Sequence, residues 1–222
     1  MLILAVISIM ATAVVFTKRS VAYKNWWDFA ILPGCFTISL AVYSIIVPNK
    51  FFVQFLFLLN AGFIFWYLKN IYYFLIKPEL YKSFFLENAS SYGNFLSVFF
   101  LAGAVYGLQS FLNLPIWLLL SVFLALAALI IYNVTWANKV EIRNGIIYIL
   151  VGCLVLTELA WSISFLPLNY NISGLILAIN YYVLIGLIRF WLKESFDAKT
   201  IRLYLIFGFL AVSVLLLTSR WM

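Results

Sequence analysis

The chain of 222 residues is 67% hydrophobic and only 9% charged, whereas a soluble domain carries about 25% charged residues. This composition excludes an ordinary soluble domain and predicts an all-α polytopic integral membrane protein. The net charge of +7 does not indicate nucleic-acid binding, because the basic residues lie between apolar runs instead of forming one patch. The absence of histidine removes the commonest metal ligand, general base and axial haem ligand, so no metal or cofactor is predicted.

Eight apolar runs meet or approach the length of about 20 residues that a helical span needs. They predict a single transmembrane domain over residues 1–222, built as an eight-helix bundle. The predicted spans are Leu2–Thr17, Phe29–Val47, Phe51–Ile76, Phe95–Leu112, Pro115–Trp136, Ile146–Leu166, Ile172–Leu192 and Arg202–Thr218. The first run is not interpreted as a signal peptide, because no basic residue precedes it and Lys18 and Arg19 follow it.

The links between the spans alternate in character. Those after the second, fourth and sixth spans are tight, whereas those after the first, third, fifth and seventh are longer and basic. Of the 14 Lys and Arg residues, only Lys50 and Arg220 fall on the side of the tight links. The positive-inside rule therefore predicts a cell (inner) membrane protein with its basic links in the cytoplasm and both termini outside.

The second and third spans resemble the sixth and seventh at a shift of about 118–120 residues. The matched pairs include Gly34 with Gly152, Pro48 with Pro167, Asn60 with Asn180, Lys69 with Arg189, and Lys82 with Arg202. These matches predict a 4+4 parallel internal repeat, related by an axis along the membrane normal. The alternative is chance similarity between apolar helices that draw on a small set of residue types.

Glu158 lies within the sixth span and is the only acid predicted at bilayer depth. A carboxylate there costs on the order of 2.5–3.5 kcal/mol on insertion scales, so it should be protonated or hydrogen-bonded. The helical rise of about 1.5 Å per residue places Asn60, Asn180, Gln109 and Ser39 near the same depth. We therefore predict an intramembrane polar site in which Glu158 meets Asn60, Asn180 or Gln109. This site is either a structural contact between helices or a site for a substrate, proton or ligand.

Four cations near the predicted membrane boundary are candidate contacts for lipid headgroups. They are Lys69, Arg189, Lys82 and Arg202. The simpler explanation is that their long side chains extend to the headgroups, and the sharper one is that they bind an anionic lipid. Separately, Gly103 and Gly107 form a G-x-x-x-G pattern, which predicts close helix packing within the monomer.

No catalytic residue is predicted, because no zinc motif, P-loop, G-x-S-x-G motif or close pair of carboxylates occurs. The first interpretation is a non-enzymatic membrane-embedded subunit, scaffold or sensor. Its predicted partners are the lipid bilayer and either another protein or further copies of itself. The second is a small transporter or channel for a lipid, small solute or proton that uses the site around Glu158. An intramembrane enzyme acting on a lipid is the third. A water-accessible cavity that reaches Glu158 would favour transport, whereas a dry, hydrogen-bonded Glu158 would favour the scaffold.

Overall fold

The computed structural model describes residues 27–77, 79, 81, 85–138, 142–192 and 198–219. Within these ranges the chain forms seven helices: α1 (Trp27–Ile46), α2 (Lys50–Ile76), α3 (Phe85–Leu112), α4 (Ile116–Ala137), α5 (Ile142–Ile163), α6 (Tyr170–Leu192) and α7 (Ala198–Thr218). All seven are long and apolar enough to cross a membrane, so this part of the chain is a helical membrane bundle. The predicted span Leu2–Thr17 lies outside the described residues.

The helix boundaries agree with the predicted spans to within about four residues, except at the start of α3. This helix begins at Phe85, whereas the sequence pattern placed the start of the fourth span at Phe95. Its first turns contain Ser90 and Asn94, and both side chains are buried within the bundle. Because these polar groups find partners inside the protein, their polarity does not end the helix.

Asparagines define several helix ends at the tight links. The side chain of Asn49 accepts from the backbone N–H of Phe51 at 3.0 Å, which caps the first turn of α2. Asn113 follows α3 with a φ of 50°, the left-handed conformation that commonly terminates a helix. Asn169 precedes α6, and its side chain accepts from the N–H of Asn171 at 2.9 Å. These local caps explain why the tight links need only a few residues.

Helix α3 lies at the centre of the bundle and packs against α1, α4 and α6. The largest apolar core lies among α3, α4, α5 and α6, and contains Phe123, Leu156 and Tyr181. Two smaller clusters lie among α1, α2 and α3, around Phe29 and around Phe36. By contrast, α7 packs mainly against α6 and buries none of its apolar window, so it is the most peripheral of the described helices.

Gly103 and Gly107 lie against α1 within the same chain. A Cβ on Gly103 would come within 3.0 Å of the Tyr43 ring, and one on Gly107 within 2.7 Å of Ile46. The absence of a side chain therefore lets the two helices approach closely. The prediction that this G-x-x-x-G pattern packs within the monomer is confirmed.

The helix packing does not support the predicted 4+4 repeat. A parallel repeat would pair α5 with α7 as α1 pairs with α3. In the described part of the chain, α1 packs extensively along α3, whereas α5 packs against α4 and α6, and α7 packs against α6. The matched residues therefore do not translate into matched helix neighbours, as expected for similarity that arises by chance among apolar helices.

Candidate functional site

Glu158 is exposed on the outer face of α5. Leu154, Trp161 and Phe165, which lie three to seven residues away along the chain, are exposed as well. Residues at this spacing occupy one face of a helix, so Glu158 lies on a surface stripe that faces lipid when the helix spans a bilayer. The predicted contact between Glu158 and an amide of another helix is therefore not found among the described residues.

The structure also separates the other members of the predicted polar site. Asn60 is buried and its Oδ1 accepts from Thr37 Oγ1 at 3.2 Å, which joins α2 to α1. Asn180 donates to a backbone carbonyl of its own helix at 2.8 Å. The Ser39 hydroxyl is buried without a hydrogen-bond partner, and Gln109 is half-buried near the end of α3. Helical rise fixes the depth of these residues but not the direction in which each side chain points, which explains the error.

A buried polar cluster lies elsewhere, between α3 and α4. Ser90 Oγ donates to Asn133 Oδ1 at 2.9 Å, and Asn94 Nδ2 donates to both Asn133 Oδ1 and Ser90 Oγ at 3.0 Å. All three side chains are almost fully buried, and Asn94 Oδ1 has no hydrogen-bond partner. The sequence analysis missed this cluster; the available signal was the spacing of four between Ser90 and Asn94, which places them on one helix face.

Two further hydrogen bonds join helices that are distant in sequence. Tyr43 in α1 donates to Asn171 Oδ1 in α6 at 2.6 Å. Tyr132 in α4 donates to Asp28 Oδ1 in the first turn of α1 at 2.8 Å. Asp28 is buried, so it is an acid inside the bundle that lies one residue before the predicted span Phe29–Val47. These contacts have a structural role in joining helices.

Arg189 differs from the other predicted headgroup contacts. Lys69 and Arg202 are exposed on α2 and α7, and Lys82 lies outside the described residues. Arg189 is half-buried near the end of α6, and its Nε and Nη2 atoms are buried without a hydrogen-bond partner among the described residues. A buried cationic donor without a partner is costly, so Arg189 is the cation that most needs a ligand.

Arg189 lines a pocket of about 270 Å³ between α3, α6 and α7, which we call the polar pocket. Its polar lining residues include Asn88, Ser91, Tyr181, Tyr182, Arg189 and Tyr204. The hydroxyl of Tyr181 is buried and has no hydrogen-bond partner. No Asp or Glu is among the described residues that line this pocket. The described lining of the pocket thus offers a guanidinium, hydroxyls and an amide, and no carboxylate.

A second, apolar cavity of about 550 Å³ adjoins the polar pocket and shares Ser91, Tyr92, Tyr182 and Tyr204 with it. A third cavity of about 400 Å³ extends the second along α6 and α7. These two cavities share Ile179, Phe207 and Ala211, and the third continues to Leu175 and Val214. We call the second and third cavities together the apolar cleft. It forms one continuous apolar path that begins at the polar pocket.

Two glycines explain how α7 creates this cleft. A Cβ on Gly186 would lie 2.8 Å from the Tyr204 ring, and one on Gly208 would lie 2.5 Å from Val183. Both contacts hold α7 against α6. In the described ranges, α7 and α3 make no comparably extensive contact, so the space between them remains open as the apolar cleft.

The combined site can hold an amphipathic molecule. Guanidinium and hydroxyl donors suit an anionic group, whereas the apolar cleft suits a hydrocarbon chain. Among the described residues, no group of three or more His, Cys, Asp or Glu side chains could hold a metal ion. None of the three cavities is lined by Glu158.

The comparisons with known proteins identify a family but no activity. The chain belongs to the family DUF5656, described as a protein of unknown function, which matches residues 1–218. No curated protein and no solved structure matches the chain.

Proposed function

We propose that this member of the DUF5656 family binds an amphipathic lipid between α3, α6 and α7, and that it acts as a non-enzymatic, membrane-embedded subunit or sensor. The observation that carries the proposal is the continuity of the polar pocket with the apolar cleft through four shared residues. A polar ligand would leave the apolar walls unfilled, and a pure hydrocarbon would leave the donors of Arg189 unsatisfied. A molecule with both parts satisfies both surfaces.

The orientation of the bundle determines which leaflet supplies the lipid. Arg189, Asn88 and Tyr204 all lie toward the helix ends that adjoin the longer, basic links. We propose that this end is cytoplasmic, as the distribution of Lys and Arg indicates, and that Leu2–Thr17 adds an eighth span. In that orientation, the polar pocket lies at the headgroups of the inner leaflet of the cell membrane.

Photo-crosslinking tests the proposal directly. Proteoliposomes would contain a trace of phospholipid with a diazirine in its acyl chain, and the labelled peptides would be mapped by mass spectrometry. We expect the labels to concentrate on α6 and α7 along the apolar cleft. Labels spread evenly over the exposed faces, including Leu154 and Trp161 of α5, would contradict the proposal.

A steric variant sharpens this test. Ala211 lines both parts of the apolar cleft, so Ala211→Trp should fill it and reduce labelling of α6 about fivefold, equivalent to about 1 kcal/mol. The matched control is Leu205→Trp, because Leu205 is exposed on α7 and lines none of the three cavities. Equal labelling of both variants and the unmodified chain would count against lipid binding in the cleft.

The second candidate function is a carrier or channel for a small solute or proton. The observation that favours it is the buried cluster of Ser90, Asn94 and Asn133, in which Asn94 Oδ1 lacks a partner. A path built on Glu158 has less support, because that residue is exposed and lines none of the three cavities. Solute and proton flux into the same proteoliposomes distinguishes the candidates: the lipid-binding proposal predicts no flux, and flux abolished by Asn133→Leu would favour transport. Turnover of the lipid would instead favour an intramembrane enzyme.

A further inference from the structure

We infer that the ligand of the polar pocket is the phosphate of a lipid whose headgroup carries a net negative charge. This inference rests on the proposed function and names the chemical class of its ligand. Arg189 binds the phosphate, Tyr181 donates a further hydrogen bond, and one acyl chain extends from Tyr182 and Tyr204 along the apolar cleft.

Arg189 supplies the charge and the geometry. Its Nε and Nη2 atoms are buried and have no hydrogen-bond partner in the described part of the chain. These two neighbouring donors of a planar guanidinium match two oxygens of one phosphate. None of the described residues that line the pocket is an Asp or Glu, so none of them neutralises the cation. An anionic ligand therefore satisfies both the hydrogen-bonding capacity and the charge of Arg189.

Tyr181 is an independent observation that points to the same ligand. Its side chain is only 2% exposed, it lines the polar pocket, and its hydroxyl has no hydrogen-bond partner among the residues that the structure describes. Tyr181 and Arg189 line the same pocket. A buried hydroxyl that lines the pocket without a partner can donate to a phosphate oxygen that Arg189 already holds.

The aromatic pair Tyr182 and Tyr204 separates the headgroup from the hydrocarbon. Their rings stack with centroids 5.8 Å apart, and both residues line the polar pocket and the apolar cleft. Tyrosines commonly lie at this level of a bilayer, with an apolar ring and a polar hydroxyl. The two tyrosines therefore lie at the boundary between polar and apolar surroundings, which matches the junction between the headgroup and the acyl chains of a glycerophospholipid.

The length of the apolar cleft favours a lipid over free phosphate. Along α6 the apolar cleft runs from Tyr182 to Leu175, a separation of 7 residues or about 10 Å of helix. One leaflet contributes about 15 Å of a hydrocarbon core of ~30 Å. An acyl chain that starts near Arg189 can therefore lie along the cleft over its full length, whereas inorganic phosphate would leave the cleft unused.

Native mass spectrometry of the full chain, released from nanodiscs with equal amounts of phosphatidylglycerol and phosphatidylcholine, tests this inference. We expect about tenfold preference for phosphatidylglycerol, which corresponds to ~1.4 kcal/mol. Arg189→Gln should abolish the preference, and Tyr181→Phe should lower it about threefold. Lys77→Gln is the matched control, because it removes one positive charge from an exposed position outside the pocket and should leave the preference unchanged.

The other outcomes separate this inference from the proposed function. Equal binding of the two lipids would overturn the phosphate assignment, and so would a preference that Arg189→Gln leaves unchanged. Lipid binding in the apolar cleft would still stand if Ala211→Trp blocked labelling. Preference for phosphatidylcholine would instead indicate recognition of its cation by the tyrosine rings. Competition by millimolar inorganic phosphate would identify a site for free anions. If the unmodified chain retains no lipid, both proposals are overturned. If Arg189→Gln fails to fold, Tyr181→Phe and the comparison of the two lipids still test the phosphate assignment.

Discussion

Gly174 of α6 lies directly against the backbone of Gly103 in α3. A Cβ on Gly174 would come within 2.8 Å of the Gly103 nitrogen and 3.2 Å of the Phe99 carbonyl oxygen. These are backbone atoms of a helix, so they cannot move aside as a flexible side chain can. This contact joins the two helices that form one wall of the proposed lipid site.

Substitution of Gly174 should therefore destabilise the bundle. We predict that Gly174→Ala lowers the free energy of unfolding by about 1–3 kcal/mol, the usual cost of overpacking a close contact. The measurement is reversible unfolding in mixed micelles. Gly62→Ala is the matched control, because a Cβ there meets nothing within 4 Å, and it should be neutral or slightly stabilising. Similar stability of the two variants would show that α3 and α6 are not in such close contact.

The buried polar cluster should contribute measurably to stability. We predict a coupling energy of about 0.6 kcal/mol, and at most about 1.7 kcal/mol, between Ser90→Ala and Asn133→Ala in a double-mutant cycle. The reason is that Ser90 Oγ donates to Asn133 Oδ1 across two helices. Ser121→Ala should show no coupling to Asn133→Ala, because the exposed Ser121 donates only within its own helix. Additive effects of Ser90→Ala and Asn133→Ala would contradict the observed hydrogen bond.

The hydrogen bond between Tyr132 and Asp28 predicts that substitutions of its two residues lower stability by unequal amounts. Tyr132→Phe leaves a buried carboxylate without its donor and should cost about 1–3 kcal/mol of stability. Asp28→Asn keeps an acceptor oxygen for Tyr132 and should cost less. Tyr73→Phe controls for removal of a hydroxyl, because Tyr73 makes no side-chain hydrogen bond within the described residues. Thermal unfolding monitored by circular dichroism is the measurement, and a larger loss for Asp28→Asn than for Tyr132→Phe would be inconsistent with this arrangement.

Replacement of Glu158 should not weaken the fold. The residue lies on the exposed stripe of α5, so Glu158→Leu should be neutral for unfolding. It should improve membrane insertion by up to about 3 kcal/mol, because an acid at the bilayer centre is unfavourable on insertion scales. Asn60→Leu is the contrasting variant, since Asn60 accepts from Thr37 across two helices. A loss of more than about 1 kcal/mol in Glu158→Leu would reveal an interhelical partner for its carboxylate.

The sequence predicted helix positions well because they depend on local composition. Most boundaries follow from apolar runs and from caps such as Asn49 and Asn113. The start of α3 was harder to predict, because whether Ser90 and Asn94 end a helix depends on a partner in α4 that is 39 or more residues away. Local polarity and tertiary hydrogen bonding opposed each other there, and tertiary hydrogen bonding prevailed.

The candidate site was only partly predictable for a related reason. Arg189 was identified because it lies at the end of an apolar run, which can be seen from the order of residues alone. The error at Glu158 arose because depth was known while rotation about the helix axis was not. The pocket around Tyr181 depends on the close contacts of Gly186 in α6 with Tyr204 and of Gly208 in α7 with Val183, and no local pattern specifies which helix a glycine will face.

An experimental structure of the full chain in nanodiscs that contain phosphatidylglycerol would show whether a lipid occupies the apolar cleft. We predict elongated density along the apolar cleft from Leu175 to Tyr182, ending in a compact headgroup feature within hydrogen-bond distance of Arg189. A cleft closed by direct contact between α7 and α3, or filled by protein side chains, would contradict the account.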